Sequence, residues 1–115
     1  MENTMTYSLP ELTYDYASLE PHISARIMEL HHSKHHQAYV TGANAALDAM
    51  AEARESGSFA NLPKLQKDLA FNLGGHVNHS VFWQNLSPAG GEASGELLAA
   101  IVEYFGSFEV LDPEY

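Results

Sequence analysis

Four histidines lie close together in the segment LHHSKHHQAY at residues 30–39. His31 and His35 are four residues apart and Tyr39 follows at the same interval, so a helix would place all three on one broad face. Each step of four residues drifts by about 40° around a helix, so this face winds slowly along it. The complete stripe of residues at this spacing is Ile23, Ile27, His31, His35 and Tyr39.

A second stripe lies farther along the chain, where residues alternate between steps of four and three. It consists of Leu65, Leu69, Asn72, His76, His79, Trp83 and Leu86. This spacing is typical of one helical seam that packs against another helix. The connection between the two predicted helices, Ser56 to Asn61, is short enough to make them antiparallel neighbours. We therefore expect a helical hairpin whose facing seams are apolar at one end, with Leu30 among the apolar residues, and carry imidazoles in the middle.

Capping and breaking residues set the expected helix limits. The predicted helices run from Pro21 to about Glu55, from about Leu62 to Leu86, and from about Ala93 to Phe105. Ser18 and Asn61 are the expected N-caps, Pro21 and Pro63 suit first turns, and Gly57 and Gly106 follow the ends of the first and third helices.

The remaining segments complete the predicted architecture. Residues 1–19 carry Leu9-Pro10 and scattered tyrosines, which indicates an extended arm with aromatic anchors. No strand alternation is present. The sequence predicts an all-α fold: a long antiparallel helical hairpin with an extended N-terminal arm and the start of a third helix. The expected domains are residues 1–88, the hairpin, and residues 89–115, a loop and the third helix.

Composition excludes several classes of function. The 115 residues include 5 Lys plus Arg against 15 Asp plus Glu, a net charge of −10, which argues against nucleic-acid and anionic-membrane partners. The absence of cysteine excludes disulfides, thiolate metal sites and thiol nucleophiles. No apolar stretch approaches the length of a membrane span, and Met1–Ser8 lacks the features of a secretory signal, so we expect a cytoplasmic protein.

Imidazoles on an inward-facing seam need partners, because an unpaired buried polar group costs about 1–3 kcal/mol. Three interpretations are open: core histidines satisfied by neighbouring groups, a metal pair of His31 and His35 on one helix, or a metal pair with one histidine from each helix. His32 and His36 lie about 100° around from the first stripe, so we expect them on its flank or at the surface. Imidazole ligands suit Mn, Fe, Zn, Cu or Ni. The acidic residues lie off both seams and are expected to be solvated.

Gly74 and Gly75 fall inside the second predicted helix, where glycine costs roughly 1 kcal/mol each. The pair either permits a close approach by another group or is simply tolerated, and the sequence alone leaves both open.

Several motifs of this sequence resemble those of the iron/manganese superoxide dismutase family, and they occur in the same order along the chain. They are LHHSKHHQAY at 30–39, GGHVNHSVFW at 74–83, LPEL at 9–12, and GELL at 95–98 with FGSF at 105–108. The resemblance covers about residues 6–109.

This resemblance implies that His31 and His79 are metal ligands, one from each helix. His35 and Tyr39 would line the approach of substrate and relay protons as catalytic residues, and Trp83 would form part of the aromatic wall around the ion. The implied reaction converts superoxide to oxygen and hydrogen peroxide at manganese or iron, with manganese slightly favoured. Superoxide is the implied partner, and members of the family form homo-oligomers.

The family pattern also includes a following α/β domain that supplies an aspartate and a third histidine. We expect this chain to lack both, since residues 110–115 no longer follow the pattern. The rival interpretation is a catalytically inactive fragment that acts as a metal-binding or self-associating helical module.

Overall fold

The computed structural model describes residues 6–111 and confirms the predicted all-α hairpin. The helices are α1 (Ala25–Glu29), which continues through a π-helical segment (Leu30–His36) into α2 (Gln37–Ser56), then α3 (Leu62–Asn85), α4 (Gly95–Phe105) and α5 (Phe108–Leu111). A short 3-10 helix, Tyr16–Leu19, precedes them. Met1–Met5 of the predicted arm and Asp112–Tyr115 of the predicted C-terminal segment lie outside the described residues.

The first long helix begins later than the sequence suggested. The Oγ atom of Ser24 accepts a hydrogen bond from the backbone N–H of Ile27 at 3.1 Å, and Oε2 of Glu20 accepts one from the N–H of Ala25 at 3.0 Å. These side chains satisfy N–H groups that have no partner within the first turn. The expected start at Pro21 with Ser18 as cap was therefore wrong.

The other helix limits lie close to those expected. Gly57 and Gly106 follow the ends of α2 and α4 with φ angles of 71° and 90°, in the region that glycine adopts without steric cost. Pro63 lies in the first turn of α3. Asn61 precedes that turn, as predicted, but its side chain makes no capping hydrogen bond.

Two glycines bring α2 and α3 into close contact. A Cβ atom on Gly75 would collide with the ring of Tyr39, and one on Gly42 would collide with the side-chain amide of Asn72. The paired positions run in opposite directions along the two helices, as an antiparallel hairpin requires. Gly74, by contrast, faces open space. The close-approach interpretation is thus correct for Gly75 alone.

The inward face of the first helix differs from the predicted one. Met28, His36 and Val40 are its most deeply buried residues, whereas Ile27 is 56% exposed and Leu30 is 41% exposed. The buried stripe repeats every four residues, as the predicted one does, but it is displaced by one position. Spacing alone cannot separate two neighbouring stripes of equal period.

The N-terminal arm is held by hydrogen bonds to the hairpin. The backbone N–H and C=O of Tyr7 both bond to the side-chain amide of Asn44 at 2.9 Å, and the Tyr14 hydroxyl donates to the backbone carbonyl of Trp83 at 2.8 Å. Beneath the arm, Leu19 packs with Met28 and Trp83 in a small core. The arm therefore has the aromatic anchor that the sequence predicted.

The third helix, α4, stands apart from the hairpin. Among the described helices it contacts α5 alone, and it leaves Leu97 and Phe105 exposed. The radius of gyration, 19.4 Å, exceeds the roughly 13 Å of a compact chain of this length. None of the helices within residues 6–111 combines the length and apolarity needed to span a membrane.

Candidate metal centre

His31 and His79 approach each other across the hairpin. The Nε2 atoms of the two rings lie 3.0 Å apart, and the ring centroids are 5.0 Å apart. On its other side, Nδ1 of His79 lies 2.7 Å from the backbone carbonyl of Gly75, one helical turn earlier. A carbonyl can only accept, so Nδ1 carries the hydrogen and Nε2 of His79 presents its lone pair towards His31.

His31 belongs to the π-helical segment, whose wider turn forms hydrogen bonds from residue i to i+5. Single π-helical turns within α-helices are frequent at functional sites. Within this segment the rings of His31 and His35 lie 5.3 Å apart, and the Oγ of Ser33 donates to the carbonyl of Glu29 at 2.6 Å. The widened turn thus presents two imidazoles towards α3.

A third histidine and a tyrosine complete the open side of the cluster. One ring nitrogen from each of His31, His35 and His79 lies within 4.8 Å of the other two. His35 is exposed, and its ring is 5.1 Å from that of Tyr39, which in turn is 5.1 Å from that of His79. The structure therefore brings together both pairs that the sequence left open, His31 with His35 and His31 with His79.

The surroundings of His31 disfavour its protonated form. Burial lowers the pKa of His31, and the neighbouring His79 and His35 lower it further. Within residues 6–111, no carboxylate joins the three histidines as a further ligand group. Glu29, like the other glutamates of these helices, is exposed, as the sequence predicted. A neutral imidazole is the form that can bind a metal, so the lowered pKa of His31 favours the state that a metal ligand needs.

The donor atoms fit a first-row transition metal. Two imidazole nitrogens bound to one ion at about 2.0–2.1 Å cannot be more than roughly 4.2 Å apart, and 3.0 Å satisfies this limit. Their nitrogen chemistry suits manganese and iron, among other metals. Asn78 and Phe82 join His31 and His79 around a cavity of about 330 Å³ at this point.

His32 and His36 lie in the interior of the protein and not on the flank or at the surface. His32 is 7% exposed and His36 is fully buried, so the prediction of a flank or surface position was wrong. The Nε2 of His32 donates to the carbonyl of Pro10 at 2.7 Å, and its Nδ1 accepts from the hydroxyl of Tyr16 at 2.9 Å. The four-residue repeat of Met28, His32, His36 and Val40 was the sequence signal for this buried stripe.

Trp83 lies directly beside the open cluster. Its side chain is 4% exposed, and its ring meets that of His31 edge-on, with centroids 5.0 Å apart and planes at 76°. The ring of Phe82 lies 5.4 Å from it. An aromatic surface therefore closes one side of the space between His31 and His79.

The chain is similar to known proteins along most of its length. The family model described as iron/manganese superoxide dismutases, alpha-hairpin domain, matches residues 6–87. The chain is 60% identical over 112 residues to a superoxide dismutase (Mn/Fe) from Propionibacterium freudenreichii subsp. shermanii, covering 95% of this chain and 56% of that protein. It is 61% identical over 104 residues to a superoxide dismutase (Mn) from Nocardia asteroides, covering 90% of this chain and 50% of that protein.

A mitochondrial superoxide dismutase (Mn) from Charybdis feriata is 59% identical over 103 residues, which cover 90% of this chain and 46% of that protein. The chain thus spans about half the length of these relatives. The family model matches residues 6–87, which include both helices of the hairpin that bring His31 and His79 together. The chain therefore belongs to the iron/manganese superoxide dismutase family.

Proposed function

We propose that this chain provides the helical half of a superoxide dismutase centre, with His31 and His79 as two ligands of one metal ion. The observation that carries the proposal is the 3.0 Å separation of their Nε2 atoms, which come from different helices. The hydrogen bond from His79 Nδ1 to the Gly75 carbonyl supports it, because metal-ligating histidines commonly donate their second ring N–H in this way.

The reaction consumes two protons for every two superoxide ions, which yield one oxygen and one hydrogen peroxide. When bound, a manganese or iron ion supplies the one-electron oxidation and reduction that this reaction needs. We assign the delivery of protons to His35 and Tyr39. His35 is exposed and can exchange protons with water, and the rings of His35, Tyr39 and His79 lie 5.1 Å from one another.

Manganese is the metal we propose, with iron as the alternative. Two of the three relatives described above are named as manganese enzymes and the third as Mn/Fe. Ligand chemistry does not separate the two metals, since both accept nitrogen and oxygen donors. In this proposal Trp83 forms one wall of the metal site, because its ring packs edge-on against that of His31.

The domain limits follow from the same proposal. We propose residues 1–88 as the hairpin domain and residues 89–115 as a separate loop and helix, a division supported by the family match to residues 6–87. A homo-oligomeric state and a cytoplasmic location stay predictions, to be checked by sedimentation and by fractionation of cells that make the protein.

The test is superoxide dismutation by the purified chain, expressed in medium containing both manganese and iron, with metal content measured on the same samples. We expect bound manganese and metal-dependent dismutation that falls in Tyr39→Phe, while the metal content of this variant is retained. The matched control is Phe71→Leu, which alters an exposed ring in contact with Tyr39. Protein that holds no manganese or iron would contradict the proposal.

A second candidate function, a self-associating helical module, is favoured by the exposed apolar side chains of α3 and α4. Phe71 is 70% exposed, Leu97 is 64% exposed, and neither is covered in the monomer. Sedimentation equilibrium separates the two functions when combined with the metal analysis. A concentration-dependent oligomer without bound metal or activity would favour the interaction module.

A further inference from the structure

Behind the open cluster lies a chain of three hydrogen-bonded rings. The indole Nε1 of Trp83 donates to Nδ1 of His36 at 2.8 Å, and Nε2 of His36 lies 2.8 Å from Nδ1 of His76. His36 is fully buried at the centre of this chain. None of the three rings is needed to explain how His31 and His79 approach each other.

The chemistry of the donors fixes the direction of both hydrogen bonds. An indole N–H can only donate, so Nδ1 of His36 is an acceptor without a hydrogen. The neutral ring of His36 then carries its hydrogen on Nε2 and donates it to Nδ1 of His76. The acceptor that His76 offers is therefore matched to the tautomer of His36 that accepts from Trp83.

The ring planes show how this chain acts on the centre. The planes of His36 and Trp83 differ by 29° with centroids 6.2 Å apart, so the rings lie nearly side by side. The same indole meets the ring of His31 at 76° with centroids 5.0 Å apart. Trp83 is thus held at one edge by His36 while its ring packs against His31.

We propose that His36 and His76 are positioning residues that hold the Trp83 indole in place and, through it, the ring plane of His31. This inference rests on the proposed function in one respect, namely that the ring of His31 is a metal ligand. The hydrogen bonds themselves do not depend on it, and they can be tested in metal-free protein. His36 touches neither substrate nor metal in this assignment.

The first experiment uses the fact that Trp83 is the only tryptophan in the chain. A ¹⁵N-labelled sample of the full chain gives one indole N–H resonance. The side-chain amide of glutamine extends to the position of the histidine Nε2 atom, not to that of Nδ1. The variant His36→Gln therefore lacks the acceptor for the Trp83 indole. We expect the resonance to move upfield and its exchange with solvent to become roughly tenfold faster. In His36→Asn, whose amide oxygen can replace Nδ1, we expect the resonance to stay near its original position.

Tyr14→Phe is the matched control, because it removes a hydrogen bond to the Trp83 backbone carbonyl and leaves the indole N–H bonded. An indole resonance that is unmoved in His36→Gln, or that moves as far in Tyr14→Phe, would overturn the inference. If His36→Gln does not fold, the imidazole ¹⁵N shifts of the unmodified protein decide: we expect hydrogen on Nε2 of His36, and hydrogen on Nδ1 would overturn the assignment.

The second experiment measures Mn²⁺ affinity by paramagnetic broadening of the imidazole signals. We expect His36→Gln to weaken Mn²⁺ binding about tenfold, the lower end of the effect of groups that support metal ligands, and His36→Asn to restore most of it. Equal Mn²⁺ affinity in the two variants and in the unmodified protein would show that His36 does not act on the ring of His31. Absence of Mn²⁺ binding in the unmodified protein would instead refute the proposed function, while the indole experiment would still decide whether His36 holds Trp83.

Discussion

The two histidine pairs of the segment at residues 30–39 occupy opposite environments although they alternate along the chain. His32 and His36 are buried, and every ring nitrogen of the two has a hydrogen-bond partner within the protein. His31 is half-buried and His35 is exposed, and their rings face His79 of α3.

This difference separates structural from chemical histidines. A buried imidazole with both nitrogens bonded contributes to stability and has no lone pair left for a metal. An imidazole at the edge of a cavity, with one nitrogen directed at another imidazole, can bind a metal. One short helical segment, residues 31–36, therefore supplies both kinds, and the rotation of the helix decides which residue has which role.

The largest expected contrast in stability is between His36→Ala and His35→Ala. Removing the His36 ring leaves a cavity and deprives Trp83 and His76 of their partners, so we expect the free energy of unfolding to fall by about 3 kcal/mol. His35 is exposed, and its removal should change this quantity by no more than about 0.5 kcal/mol. Urea unfolding of metal-free protein measures both, and similar losses in the two variants would contradict the distinction.

Acidification should affect the buried His36 next. Burial first, then the neighbouring His76, His79 and His32, lower the pKa of His36 to about 4. The unfolded chain binds a proton near the ordinary histidine pKa of about 6.5. The free energy of unfolding is therefore undiminished above that pH and falls as pH decreases from about 6.5 to about 4, by about 3 kcal/mol from this residue.

Unfolding titrations between pH 7 and pH 4 test this prediction, with His36→Gln as the control. Since glutamine does not titrate, the variant should lose that share of the pH dependence. A pH dependence that is unchanged in His36→Gln would show that another group is responsible.

A smaller contrast concerns the two adjacent glycines of α3. Gly75→Ala would force its new methyl group against the ring of Tyr39, and we expect a net loss of about 1–2 kcal/mol. Gly74 faces open space in the same helix, so Gly74→Ala should gain about 0.5–1 kcal/mol from helix propensity. Thermal unfolding of the two variants measures the difference, and equal shifts would argue against close contact at Gly75.

Sequence reasoning predicted the hairpin because α3 carries a clear pattern. Every member of the stripe from Leu65 to Leu86 is buried or half-buried, and the short connection before α3 permits only neighbouring antiparallel helices. The approach of His31 to His79 followed from the two seams and from the family resemblance together.

The rotation of the first helix was not predictable in the same way. The stripes containing Ile27 and Met28 have the same four-residue period, and both lead into histidines. The start of the helix depended on two side-chain caps, Glu20 and Ser24, whose geometry the sequence does not specify. The hydrogen bond between His36 and Trp83 depends on that rotation, so it became visible only in the structure.

The most direct test of the central claim is Mn²⁺ binding to the unmodified chain, His79→Ala and His22→Ala. His22 is an exposed histidine in the turn before α1, so it controls for the loss of an imidazole elsewhere. Since even groups that only support metal ligands contribute roughly 10–100-fold to affinity, we expect His79→Ala to weaken Mn²⁺ binding by more than about 100-fold. His22→Ala should bind as the unmodified protein does. Equal Mn²⁺ affinity in His79→Ala and His22→Ala would contradict the account.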